Sequence, residues 1–502
     1  MKKSLVNNFF TRHPVKTQRF LEILPGFFSW SLILFPIWGS FFIPEIVAYY
    51  VIIFAIYWLY RSLTLSVLSI VAHFRIQASC SHNWPTDLKN TFPQKYIQIH
   101  HLIIIPTYEE PIYILERTLN GLKEQSFPLK NLHIMLSFEE REGKEARVKA
   151  EILKEKFKTY FGHLWTEFHP DIVGEVKGKS SNTCYGAKKA KKILIDQNKI
   201  NINNVTITSE DADAVFHHHY FAYLTYEFLN SKHRYNKIWQ GGIVFYNNIW
   251  QVPAPIRVLG SIFSVNQMYI LMRKDRLINF STYSTSLRHI VEINFWDTDV
   301  IPEDYRLFFK SYFLKKGKFE ADPIFLPIYA DMPQSDNFFS TMINQYEQLK
   351  RWAWGVSDDA YIIKQFFKHN EIPFFDRLLR ITKVLEDHFL WPVNWFAITI
   401  AAFFPPFLNP RFNATTLGKT LPQVTSFILT LTLISLFIIF IIDAINRPKR
   451  PKNFSFLSYI TQPLEFLMLP FLGFFFSALP GIDAHTKLMM GKYIEYKVTR
   501  KV

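Results

Sequence analysis

The chain has 502 residues, 49% of them apolar, with 50 phenylalanines and a formal charge of +15. That length allows more than one domain. The two cysteines, Cys80 and Cys184, lie far apart, which argues against a disulfide framework and against a thiolate zinc site. No nucleic-acid-binding motif accompanies the basic charge, so nucleic acid is not an expected partner.

In chain order, Lys2, Lys3, Arg12, Lys16 and Arg19 precede a charge-free run, Ile23–Ile43. No small-residue cleavage site follows that run, so a removable leader is not expected. Ile46–Tyr60 is again uncharged, and the apolar pattern continues past Arg61 to about His73. Ile46–Tyr60 is short for a span, but Arg61 can snorkel at an interface.

The region 76–383 changes character. "IQIHHLIIIPTYEE", 97–110, reads as a buried strand ending in a turn. "PIYILERTLNGLKEQ", 111–125, has helical spacing with Pro111 suited to the first turn. "LHIMLSFEE", 132–140, is a second strand, and most of the charged run after it is a solvated helix. "NVTITSED", 204–211, is a third strand, and "AVFHHHYFAYLTYEFLN" a further helix. Strands alternating with helices predict an α/β domain with a mainly parallel sheet. Ligands gather beyond the carboxyl ends of such strands. Acidic pairs or clusters stand at all three ends, at 109–110, 139–140 and 210–213.

Three stretches can carry chemistry. In an extended chain Asp211 and Asp213 share a side while Glu210 points away. Paired carboxylates suit a hard cation such as Mg²⁺ or Mn²⁺, though an acidic turn and helix N-terminus is the commoner reason for such a pair. Pro302 can open a helix with Glu303 and Asp304 in its first turn. That is an ordinary helix start or a place for a general base. Gln348, Arg351 and Trp352 share one helical face, suited to a phosphate and a sugar, or to a membrane surface. His217, His218 and His219 point in different directions on a helix and do not make a metal site.

The C-terminal third returns to apolar runs. Phe389–Leu408 and Leu421–Ile442 are uncharged, and Phe454–Ile482 carries one charge, Glu465. A bilayer core needs about 20 apolar residues per helix, so these runs and the N-terminal ones are expected to span a membrane rather than to be buried in a soluble core. "RPKRPK", 447–452, joins the N-terminal bases and Arg61 and Arg75 on one side, expected to be cytoplasmic and to face anionic lipid. One crossing by the last segment would strand the basic tail "KLMMGKYIEYKVTRKV" outside. Pro463, Pro470, Gly473 and Pro480 suit a kinked or re-entrant path instead.

Taken in order between apolar segments, these motifs resemble the membrane-integrated family 2 glycosyltransferases, the cellulose synthase and hyaluronan synthase relatives. The resemblance covers about 98–355. "IIIPTYEEP" is similar to the opening strand, "GKSSNTCYGAKK" to the stretch before the metal motif, "DAD" to Asp-x-Asp, "PED" to the segment ending in the catalytic Asp, and "QLKRW" to Gln-x-x-Arg-Trp. It implies a GT-A-like, Rossmann-type α/β domain on the cytoplasmic side of the plasma membrane, combined with α-helical transmembrane segments. The expected divisions are 1–75, a transmembrane hairpin; 76–330, the transferase domain; 331–383, interface helices; and 384–502, a second membrane region with the tail.

The implied roles follow the matched positions. Thr107, Glu109, Lys179, Asn182 and Asp211 would bind the nucleotide sugar, and Asp213 the metal, Mg²⁺ or Mn²⁺. Asp304 would be the general base. Arg351 would steady the diphosphate, with Gln348 and Trp352 near the acceptor. The second strand lacks the family's Asp, and Glu139 or Glu140 would replace it. The implied reaction is inverting transfer from a nucleotide sugar, uridine-linked by the resemblance, to a growing polysaccharide, processive and coupled to export. A lipid-linked acceptor, accessory subunits and a transporter with an inactive transferase-like domain stay open at this point.

Overall fold

The computed structural model describes residues 10, 12–451, 458–497 and 499. Lys2, Lys3, Lys452, 454–457 and 500–502 lie outside the described residues. In chain order the principal elements are α1 (Pro14–Phe42), α2 (Pro44–Ser81), β1 (His100–Thr107), α3 (Ile112–Lys123), β2 (Leu132–Glu139), α4 (Lys144–Phe157), β3 (His163–His169), α5 (Lys179–Lys191), β4 (Val205–Ser209) and β5 (Val215–Phe216). There follow α6 (Tyr220–Asn230), β6 (Lys237–Val244), α7 (Ala254–Leu271), β7 (Tyr283–Ser286), α8 (Glu303–Leu314), β8 (Glu320–Tyr329), α9 (Phe338–Ala353), α10 (Phe374–Thr399), α11 (Thr416–Asn446) and α12 (Leu479–Met489).

The strands form one eight-stranded sheet in the order β3-β2-β1-β4-β7-β6-β8-β5. The half expected to be parallel is so: β1 pairs in parallel with β2 and β4, and β2 with β3. The other half is mixed. β7 runs antiparallel to both β4 and β6, while β6 and β8 are parallel. Strand order reverses at β1/β4, and a crevice opens beyond the carboxyl ends there.

Helices cover both faces. Leu115 and Leu119 of α3, Leu153 of α4 and Phe221 and Phe228 of α6 close one face, against Trp239 and Phe138 of the sheet. Cys184 and Ala187 of α5, Val265 of α7 and Phe308 of α8 close the other. Ala72 and Ile76, near the end of α2, belong to that second core. The N-terminal helical hairpin is therefore packed into the sheet domain. The three histidines 217–219 are not helical as expected. They form the turn that precedes α6 at Tyr220.

Among the described residues, four helices are long and apolar enough to cross a membrane: Pro14–Phe42, Pro44–Ser81, Thr416–Asn446 and Thr461–Met489. Phe374–Thr399 and Ala401–Leu408, bent by 47° at their junction, pass the same test together. Arg61 does not simply reach for an interface. It pairs with Glu386 at 2.9 Å and Asp387 at 3.1 Å, and Arg276 joins both from the loop after α7, at 2.6 and 3.3 Å. These charges sit just before the apolar run that starts at Phe389. At the other end, Glu465 pairs with Arg257 at 2.6 Å and Asp483 with Lys350 at 3.4 Å. Both halves of Thr461–Met489 thus touch helices of the region between the apolar segments, through Arg257 of α7 and Lys350 of α9.

Trp239 is fully buried and packs edge-on against Phe228. Trp239→Ala is expected to cost about 3–5 kcal/mol, seen as a lower melting temperature. Trp239→Phe removes the indole N–H, which has no partner, and should retain most of the stability.

Candidate active site

The crevice at β1/β4 gathers four segments: the loop after β4, the start of α5, the turn before β7 and the start of α8. Gly178 enters α5 with φ +139°, a conformation that side-chain-bearing residues rarely adopt. This delivers Lys179 at the first turn of the helix. Its buried ammonium lies 2.6 Å from Asp211 and 3.2 Å from Glu303 and donates to the Ser281 carbonyl. Burial alone would lower its pKa, but the charges of Asp211 and Glu303 outweigh that and raise it well above the ordinary value. Lys179 therefore stays charged.

Asp304 is held from its own backbone side. The Tyr305 N–H donates to Oδ1 at 2.9 Å, and the Ser281 N–H to Oδ2 at 3.3 Å. Ser281, in the left-handed region at φ 56°, also donates its hydroxyl to Asp211. One residue thus bridges the donor loop and the candidate base. Burial raises the pKa of Glu303 and of Asp304, with the Lys179 charge opposing the rise in both.

The loop after β4 is not extended. Ala214 N–H donates to the Asp211 carbonyl at 2.9 Å, closing a turn, so the alternation of an extended chain does not apply across it. Asp211 turns to Lys179 and Ser281. Asp213, 3% exposed, accepts the Asp331 N–H at 2.8 Å. Pairing of β5 with the end of β8 brings Asp331 there, where Arg117 pairs with its carboxylate at 2.7 Å. Glu210 is fully buried, and neither carboxyl oxygen has a hydrogen-bond partner among the described residues. Burial, then the charges of Asp211 and Asp213, raise its pKa well above the ordinary range.

The remaining expected residues divide. Thr107 is buried at the end of β1 with its hydroxyl unpartnered. Glu109 is exposed, left-handed at φ 57°, and its N–H donates to Glu142 at 3.0 Å. Glu139 ends β2 and accepts Arg141 Nε at 2.6 Å. Asn182 is turned inward: its amide donates to the Ser137 carbonyl at 2.7 Å and accepts the Ser137 hydroxyl at 2.6 Å. It braces α5 on β2 and offers nothing to the crevice in this arrangement.

On α9, Gln348 is buried and accepts from Gln345 at 3.2 Å. Trp352 packs on Phe245 and Phe263, with ring centroids 6.2 and 5.5 Å away. The stretch "QGGIVFYNNIW" thereby meets α9 through Phe245, and its Asn247 donates to the Asp213 carbonyl at 3.1 Å. Arg351 is held by the C-terminal tail. It donates to the Lys497 carbonyl and to the Thr499 hydroxyl, both at 3.0 Å, and lies 4.6 Å from the Tyr496 ring centroid. The same ring abuts Gly178. The tail therefore lies against both Arg351 of α9 and Gly178 at the start of α5.

Sequence reasoning missed Ser281, Asp331, Arg117 and Tyr496. Ser281 carries no motif, and its role comes from a left-handed turn. Asp331 follows the longest strand and could have been found as one more carboxylate at a strand end. Glu303, noted beside Asp304, proves to be a partner of Lys179.

Lys179→Met is expected to leave Asp211 and Glu303 uncompensated and to destabilise the domain by about 3–5 kcal/mol. Lys179→Arg, which keeps the charge, should lose much less. Thermal unfolding of the two variants in detergent reads the difference.

No family model matches the chain, and neither does any curated protein. Among solved structures the chain is similar to the mannosyltransferase PcManGT from Pyrobaculum calidifontis, in complex with GDP-Man and Mn²⁺. The identity is 11%, the match covers 76% of this chain and 98% of that one, and the TM-score is 0.43. It is also similar to residues 1–349 of S. aureus TarS, in complex with UDP-GlcNAc. There the identity is 11%, the coverage 80% and 94%, and the TM-score 0.36. Both superpositions are loose.

Proposed function

We propose that the protein is an inverting glycosyltransferase with a GT-A-like domain at the cytoplasmic face of the cell membrane. It transfers a sugar from a nucleoside-diphosphate donor to a growing glycan, processively and with export through its membrane helices. The observation that carries this reading is the junction at β1/β4. There Lys179 and Ser281 tie the donor-side carboxylate Asp211 to Glu303 and Asp304.

A divalent cation, Mg²⁺ or Mn²⁺, fits the loop after β4. Three carboxyls stand within four residues, and burial and the charges of Asp211 and Asp213 raise the pKa of Glu210. The donors are hard oxygens. Among the described residues no three His, Cys, Asp or Glu side chains already surround a metal position. Asp213 would hold the ion together with the donor diphosphate. When bound, such an ion offsets charge on the departing diphosphate.

The chain's own groups supply the rest. Asp304 accepts the proton of the acceptor hydroxyl. The oxygen so freed bonds to the anomeric carbon as that carbon's bond to the diphosphate oxygen breaks. Attack and departure on opposite faces invert the centre. Asp211 and Lys179 orient the donor. Arg351 steadies the leaving diphosphate on exchanging its present acceptors, Lys497 and Thr499. Gln348 and Trp352 border the acceptor end.

The membrane assignment is supported by the apolar helices and by the charged group of Arg61, Arg276, Glu386 and Asp387 at one level. Ion pairs from both halves of Thr461–Met489 to the catalytic part support a path along the membrane face rather than a simple crossing. Lipid then contacts α1, α2 and α11, as the basic N-terminus and 447–452 suggest.

Nucleotide release by purified protein, with a panel of nucleotide sugars and Mg²⁺ or Mn²⁺, tests the function. Asp304→Asn is expected to lower turnover about 10²–10⁴-fold, and Asp213→Asn to abolish the response to metal. Full activity in both variants would sink the assignment. The pH profile adds a second check. A base works only when deprotonated, and burial raises the pKa of Asp304, so activity should rise with pH along a limb above the ordinary carboxyl range near 4.

A further inference from the structure

Resting on the nucleotide-sugar reading, we propose that the base of the donor is guanine, selected by Glu139 and Arg141. The family resemblance implied uridine. The edge that these two side chains present points elsewhere.

A cleft lies beyond β2 and β3, beside the crevice, lined by Glu139, Arg141, His169, Ile172, Lys177 and Ser181. Arg141 Nε donates to Glu139 Oε2 at 2.6 Å, so the two head groups stand side by side. The guanidinium lies over the Tyr108 ring, 3.8 Å from its centroid, which fixes its plane. Its other N–H groups have no hydrogen-bond acceptor among the described residues, and 29% of the side chain is exposed. Glu139 has no second partner among the described residues. Read across, the pair offers a donor beside a two-oxygen acceptor.

The pairing edges of the bases answer this pattern differently. Guanine presents a carbonyl, a ring N–H and an amino group. The carbonyl can take Arg141, and the two N–H donors can reach the carboxylate in parallel, as charge-assisted bonds. Uracil presents a carbonyl, an N–H and a second carbonyl, and that second carbonyl would face a carboxylate oxygen. A third donor would be needed to relieve it. Ser181 Oγ is spent on the Val176 carbonyl at 2.7 Å, and the half-exposed Lys177 ammonium sits on Asp171 at 2.5 Å, so it would have to turn from that carboxylate to serve a pyrimidine. Adenine and cytosine bring a ring nitrogen lone pair to the carboxylate. The extra methylene of Glu, where the family pattern has Asp, gives the reach for two-oxygen contact.

Equilibrium binding to the full-length protein in detergent, with GDP, UDP, ADP and CDP in the presence of Mn²⁺, tests this. GDP is expected to bind at least about tenfold more tightly than UDP. Glu139→Gln should weaken GDP by about tenfold while leaving UDP within about twofold. Arg141→Lys, checked by its melting temperature, should also narrow the gap. UDP bound as tightly as GDP, or more tightly, overturns the guanine assignment and leaves the transferase reading intact. Binding of none of the four overturns both. Should the variants fail to fold, the GDP-to-UDP ratio of the unaltered protein decides.

Discussion

The Lys179 ammonium joins two segments that would repel each other without it. Asp211 comes from the loop after β4 and Glu303 from the start of α8, and each brings negative charge into a crevice largely sealed from water. A buried charge is tolerated when paired and hydrogen-bonded. Lys179 meets both carboxylates and the Ser281 carbonyl at once. The position of Asp304 follows, because it is the neighbour of Glu303 and takes its second backbone donor from the same Ser281. Gly178 makes this possible by entering α5 in a conformation closed to other residues.

The sheet domain and the apolar helices pack against each other. Ala72 and Ile76 of α2 lie in the sheet's second core, and Arg61 and Arg276 share Glu386 and Asp387. The C-terminal tail closes the circuit by holding Arg351 against Tyr496. A shift of the last apolar segment therefore has a direct path to the crevice, through α12, the tail and α9.

Legibility in the sequence followed burial pattern. β1 and β2 are largely apolar, β4 alternates Val205 and Ile207 with threonine, and each ends in an acidic turn, so all three were readable as strands. β7, "YSTS", was not. Its four residues are buried yet all carry a hydroxyl: Ser284 meets Thr208 of β4, and Thr285 donates to the Lys237 carbonyl. No apolar alternation marks such a strand. β5 has two residues and exists through its pairing with β8. The antiparallel half of the sheet was therefore hidden, and with it the approach of Asp331 to Asp213. The expectation that Asp211 and Asp213 share a side assumed an extended chain, where a turn is found.

The sequence by itself determined where apolar helices and buried strands fall, and which stretches carry carboxylates, the guanidinium and the indole. Those follow from local composition and period. Tertiary packing decided which carboxylate meets which cation. Lys179 reaches Asp211 and Glu303 across 32 and 124 positions of chain. Arg351 is claimed by a tail 146 residues away, and Asn182 is turned into β2. Such pairings are set by sheet order and by the exclusion of water from the crevice, and neither leaves a periodic trace in the chain.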